Sequence, residues 1–209
     1  MEYDKQLVAH KLQRWDCYIR NYHLPQWEAI PDFGLYMDQV IVLLEQYLSF
    51  IPPVNEAKER IVTASAINNY VRLKMMPAPV KRKYYRIHIC YLIMILTMKQ
   101  SIGITQVQRI IPWQLAAEEK PEETVRGIYE DYSEKFRDIA LLFNRQLQEG
   151  WEKLCAPEWD ERGAARSLVM EAALIAGFSK VLAEKLLRLC GADMEAVLAA
   201  EQPHQETAE

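Results

Sequence analysis

From Arg60 to Ala117 the chain carries no aspartate or glutamate, and within that stretch Ile87 to Met98 is a nearly unbroken apolar run. An apolar run of this kind has to leave water. It is far short of the ~20 residues that span a bilayer and it contains His88, so it predicts a buried core helix and no membrane segment. The acid-free stretch also holds nine cations: Arg60, Arg72, Lys74, Lys81, Arg82, Lys83, Arg86, Lys99 and Arg109. A segment at +9 inside a chain at −4 leaves −13 for the remainder. Such a segment attracts polyanions even in an acidic protein. The competing reading docks the basic side on the acidic helices of the same chain.

Helical periodicity runs along nearly the whole sequence, and no strand or repeat signal stands out. Residues 4–21 predict a first helix with Leu7, Leu12, Trp15 and Ile19 along one side. Residues 24–34 read as a loop punctuated by Pro25, Pro31 and Gly34, with Trp27 and Phe33 pinning it to the core. Leu35 to Ser49 has a wide apolar stripe and stops at Pro52-Pro53. Thr63 or Ser65 caps a short helix reaching about Met75, which Pro77 and Pro79 end. Lys81 to Arg86 forms a basic, aromatic connector, and residues 87–100 form the buried helix. Gly103 breaks it, and Thr105 caps a further helix to about Ile111. Pro121 opens a long helix to about Leu154, followed by two more at about 162–175 and 179–190. The fold class is therefore all-α. Its predicted parts are an N-terminal helix (1–23), a helix-turn-helix domain (24–117), a C-terminal helical region (118–200) and a flexible tail (201–209).

The segment Thr63 to Pro77 concentrates the chemistry. At 100° per residue, Ile67, Tyr70 and Val71 share one side, and Ser65, Asn68, Asn69 and Arg72 occupy the other. Asn and Arg are shaped for bidentate contacts to adenine and guanine edges, and Tyr and Ser donate to phosphate. Ordinary surface helices mix acids with bases, whereas this face has no acid. Next comes Lys81-Arg82-Lys83-Tyr84-Tyr85-Arg86, four cations and two aromatics in six residues, suited to phosphate contacts beside a recognition helix. The expected roles are Asn68, Asn69 and Arg72 towards bases, with Tyr70, Lys81, Arg82, Lys83, Tyr85 and Arg86 towards phosphates and Ser65 on the same face.

The order of elements resembles the winged helix-turn-helix of MerR-type regulators. Ile67-Asn68-Asn69-Tyr70-Val71-Arg72 stands in for that family's Leu-Arg-Tyr-Tyr-Glu-Arg run. Lys74-Met75-Met76-Pro77 stands in for its end, Tyr85-Arg86 for its wing, and Ser101-Ile102-Gly103-Ile104-Thr105 for the turn into its last helix. The resemblance implies that Tyr70, Arg72 and Arg86 meet the DNA backbone. A closer resemblance runs from about 24 to 115 through Leu24-Pro25, Trp27-Glu28, Ile30-Pro31-Asp32, Gly34 to Val40, Ile67 to Val71 and Pro79-Val80-Lys81. It is to a family of uncharacterised Firmicutes proteins catalogued as a domain of unknown function (1836). That likeness implies a bacterial, cytosolic protein and supplies no activity.

The remaining residues carry no rival chemistry. Cys17, Cys90, Cys155 and Cys190 form no C-x-x-C pair, and no histidine is placed to complete a zinc site. They read as reduced thiols, and with no secretory signal readable at the start the expected compartment is the cytoplasm. His10, His23, His88 and His204 are scattered, and there is no Gly-rich phosphate loop or H-E-x-x-H pattern. The expectation is no enzyme, no cofactor, no metal and no identifiable small-molecule ligand. Function is read as a DNA-binding transcriptional regulator that meets double-stranded DNA as a homodimer, with the helix from Pro121 as the expected dimer element. The alternative is an interaction adaptor of helix-turn-helix shape that binds an acidic protein partner.

Overall fold

The computed structural model describes residues 4–51, 60–111, 121–155, 161–191 and 193. These residues form seven α-helices: α1 Lys5–Asn21, α2 Met37–Tyr47, α3 Ala64–Arg72, α4 Arg86–Met98, α5 Ile104–Ile110, α6 Pro121–Cys155 and α7 Glu161–Arg188. The all-α reading is correct. Among the described residues, extended backbone pairs at isolated bridges, such as Leu35 with Tyr84 and Val80 with Lys83.

The helix α4 is the pillar. His88 through Leu96 are buried without interruption, so α4 is apolar on every side, as a helix wrapped by others must be. Removing Ile89, Leu92, Ile93, Met94, Ile95 and Leu96 from water stabilises the fold by about 1.5–3 kcal/mol each. Around α4 pack α2, with Val40, Ile41 and Leu44, and the first turns of α6, with Val125 and Tyr129, while α3 lies against α2 and adds Ile67 and Tyr70 to the same core. Buried Tyr129 donates to the Pro25 carbonyl at 2.7 Å and fixes the 24–34 loop. In that loop Trp27, 3% exposed, begins a short 3-10 turn. Phe33 does not pin the loop: it is 64% exposed.

Beyond the core, α1 lies along α6. Asn144 Nδ2 donates to the Asp16 carbonyl at 3.0 Å, and Trp15 meets Phe143 edge-on at 6.2 Å. At the far end α5 docks on α7, where Gln106 Nε2 donates to Glu184 Oε1 at 3.1 Å and Arg109 Nη2 donates to the Leu187 carbonyl at 2.6 Å. Gly103 rather than Thr105 is the N-cap of α5, with Gln106 Oε1 accepting from its N–H at 2.7 Å. The two helices expected at 162–175 and 179–190 are one, α7, running through Gly177. A single glycine costs a helix about 1 kcal/mol, which does not break it without a proline. Among the described residues no helix is long and apolar enough to cross a membrane.

His88 ties the start of α4 to the segment before it. Its Nδ1 accepts from the Tyr85 N–H at 3.0 Å, and its Nε2–H donates to the Ala78 carbonyl at 3.2 Å. Burial holds its pKa below the usual 6.5, outweighing two backbone hydrogen bonds that act the other way. The unfolded chain therefore binds a proton that the folded chain resists, and stability rises with pH across that interval. The contribution is complete above about 6.5 and is lost as pH falls below it. Thermal melts between pH 5 and 7.5 are expected to show a falling Tm on acidification, and His88→Gln to flatten that slope. An unchanged slope in the variant would assign the pH dependence to other groups.

Candidate nucleic-acid interface

The helix α3 begins at Thr63, whose Oγ1 accepts from the Ala66 N–H at 3.2 Å. Ile67 (fully buried) and Tyr70 (4% exposed) anchor it to the core. Its opposite face carries exposed Ser65, Asn68 and Arg72, with Asn69 half-buried beside them. Arg72 Nη2 donates to Asn69 Oδ1 at 2.7 Å, which holds the guanidinium along the helix face. Among the described residues this bond takes one of its five N–H donors, which leaves donors for a ligand.

The helix ends in a left-handed cap. The Met75 N–H bonds the Tyr70 carbonyl and the Lys74 N–H bonds the Val71 carbonyl, both at 3.0 Å, with Lys74 at φ +54°. This is the Schellman arrangement, in which glycine normally takes the left-handed position and the next residue packs back on the helix. Buried Met75 does so. The lysine at the strained position is an exposed cation, counted in the basic stretch but left out of the expected DNA contacts. Its signal was available: a basic residue at the position a helix stop usually reserves for glycine.

The connector Lys81–Arg86 is a two-residue hairpin. Val80 and Lys83 exchange both backbone hydrogen bonds, at 2.9 and 3.0 Å, and the tip residues Lys81 and Arg82 stand at φ +49° and +64°. That is the geometry of a type I′ turn, which favours Asn-Gly. Holding lysine and arginine there costs roughly 1–2 kcal/mol per residue. The following residue, Tyr84, exchanges two 2.8 Å bonds with Leu35, so the hairpin is stitched to the start of α2. Lys83 Nζ lies 5.4 Å from the Tyr36 ring centroid. Gly34 permits this approach, because a Cβ there would come within 2.7 Å of Lys83 Cδ and 2.9 Å of its Cβ.

Three expected phosphate contacts are engaged elsewhere. Tyr70 is in the core and its hydroxyl accepts from Lys99 Nζ at 3.3 Å. Its helical position places it on the Ile67 side, and that side is turned into the core. Arg86 is also committed: Nε donates to the Ile30 carbonyl at 2.7 Å, the guanidinium stands 5.4 Å from the Trp27 ring centroid, and Asp32 lies 3.8 Å away. Tyr85 is half-buried as the N-cap of α4, its ring 6.3 Å from that of His88. Seven expected residues are left on the surface: Ser65, Asn68, Asn69, Arg72, Lys81, Arg82 and Lys83, with Lys74 between the two groups. Nine Cα–Cα steps separate Arg72 from Lys81, so the two backbone positions stand at most roughly 30 Å apart, less than one turn of duplex DNA. Of the stretch 48–63 that joins α2 to α3, residues 52–59 lie outside the described residues.

Lys74→Gly is expected to raise stability by about 1 kcal/mol through relief of the left-handed lysine, read as a Tm increase of roughly 2–4 °C. Gly34→Ala is expected to lower Tm as Lys83 and the hairpin are pushed aside. A Gly34→Ala protein with unchanged Tm would show that Lys83 moves away freely.

No curated protein and no solved structure matches this chain. A family model described as a domain of unknown function (DUF1836) matches residues 25–132, from the loop before α2 through α5 into the first three turns of α6. The match takes in the α4-centred core with the α3 face and the hairpin and covers more than half of the chain, and on it the protein belongs to the DUF1836 family.

Proposed function

We propose that this protein is a DNA-binding transcriptional regulator of winged helix-turn-helix type, with α3 as the recognition helix and the 80–83 hairpin as a short wing. The observation that carries the reading is the hairpin tip. Lys81 and Arg82 are held in left-handed backbone nine positions along the chain from an acid-free helix face, at a conformational cost that Asn-Gly would not incur. Strain of this kind persists where the surrounding structure enforces it, and it gathers at binding sites. Leu35–Tyr84 pairing and Gly34 supply that enforcement here.

In this reading Arg72, Asn68 and Asn69 enter the major groove, where Arg suits guanine and Asn suits adenine. Lys74, Lys81, Arg82 and Lys83 meet the phosphates on either side. Such contacts position a protein and make affinity salt-dependent without reading sequence.

Gel-shift titration on fragments selected from a random duplex library tests this. Retardation is expected to weaken steeply with salt, by about 0.9 in the log–log slope per phosphate contact. Arg72→Ala is expected to cost ~1–3 kcal/mol and to relax preference at one base position, whereas Arg82→Ala weakens all fragments alike and lowers the slope by about 1. The double substitution Lys81→Asn with Arg82→Gly separates folding from binding: Tm rises and DNA affinity falls. No selected or retarded fragment at low salt would overturn the reading and favour an acidic protein as the partner of this face.

A further inference from the structure

The middle of α7, Ala172 to Leu182, is exposed at every residue, yet Lys180 is its one charged side chain. A helix apolar on all sides is stable when something covers it. The ends of α7 are covered from within the chain, by α6 and α1 near Ala165 and by α5 at Glu184 and Leu187. The middle is not. Ile175, Phe178, Leu182, Leu186 and Leu189 are 43, 74, 59, 59 and 52% exposed. At 100° per residue they share an arc of about 80°. An apolar groove of about 270 Å³ between α1, α6 and α7, lined by Trp15, Phe143, Leu168 and Ile175 among others, continues this face.

We propose that this face is a homodimer interface in which two copies of α7 pair antiparallel about a twofold axis between Phe178 and Ser179. Three features point to a second copy. The first is register: Leu168, Ile175, Leu182 and Leu189 recur every seven residues, and reversal about that axis exchanges Leu168 with Leu189 and Ile175 with Leu182. A seam that maps onto itself this way suits an isologous contact. Charge is the second. The reversal sets Glu171 of one copy against Leu186 of the other, one residue from Lys185, whereas parallel pairing would stack Lys180 on Lys180 and Lys185 on Lys185. The third is area. The five stripe residues leave on the order of 100 Å² each, and with their flanks they approach the roughly 800 Å² per partner of a standard interface. The helix α6, the dimer element expected from sequence, spends its inner face on α1 and α4 instead. Because α5 docks at one end of α7, antiparallel pairing sends the two α3–hairpin faces to opposite ends of the dimer.

Light scattering of the full chain without DNA tests the interface independently of DNA binding. The expected result is a dimer at micromolar concentration, twice the 24.4 kDa chain mass. Phe178→Glu with Leu182→Glu is expected to give a monomer of unchanged far-UV circular dichroism. Glu171→Lys is expected to weaken the dimer at least tenfold, and adding Lys185→Glu to restore it. Within one chain those two residues stand about 21 Å apart along the helix, so rescue reports pairing between copies. A wild-type chain that stays monomeric at 100-fold higher concentration would overturn the proposal. A dimer that ignores both the double glutamate and the charge reversal would overturn it too, by placing the contact elsewhere.

Discussion

Burial of α4 is the constraint on which the rest depends. Nine successive residues are removed from water, and no other arrangement of a 13-residue helix does this except enclosure by neighbours on every side. Enclosure dictates what α2, α3 and the start of α6 must present, namely one apolar stripe each. It also dictates what they leave outside. The polar face of α3 is on the surface because its Ile67 and Tyr70 side is required inside. Packing energy of this kind is large beside the strain stored at Lys74, Lys81 and Arg82, so the core can hold those residues in left-handed backbone.

The α4 pillar also explains the extent of the family match, which ends at Tyr132, inside α6, rather than before Pro121. Val125 and Tyr129 complete the core from α6, Tyr129 closes the 24–34 loop, and the Tyr132 hydroxyl bonds Thr97. A folding unit cut before α6 would expose α4 on one side. The helices beyond are added to that unit: α1 along α6, and α7 across to α5.

Cations in the acid-free segment fall into two populations that composition cannot separate. Arg86 and Lys99 are internal fasteners. Arg86 bridges Ile30, Trp27 and Asp32, and partly buried Lys99, its pKa lowered by desolvation, reaches the Tyr70 hydroxyl. Arg72, Lys74, Lys81 and Arg82 face solvent. The distinction follows from neighbours distant in the chain. Arg86 meets a carbonyl 56 residues away, and nothing in the local pattern of a basic, aromatic hexapeptide announces that partner.

Sequence alone determined the helical class, the burial of the Ile87–Met98 run, the extents of α1 and α6 within a residue or so, and the amphipathic division of α3. All of these rest on local periodicity and capping, which act over one or two turns. Tertiary structure alone decided that Tyr70 belongs to the core and Tyr85 and Arg86 to the joint between the hairpin and α4. It decided that Phe33 stands in solvent, that α7 is continuous, and that the connector is a strained two-residue hairpin. Helical phase places Tyr70 on one side without saying what that side meets. A turn of non-glycine residues at positive φ is visible only once the strands it joins are held together from elsewhere, here by Leu35. The acid-free stretch marked where to look, and long-range contacts decided which of its charges remain free to act.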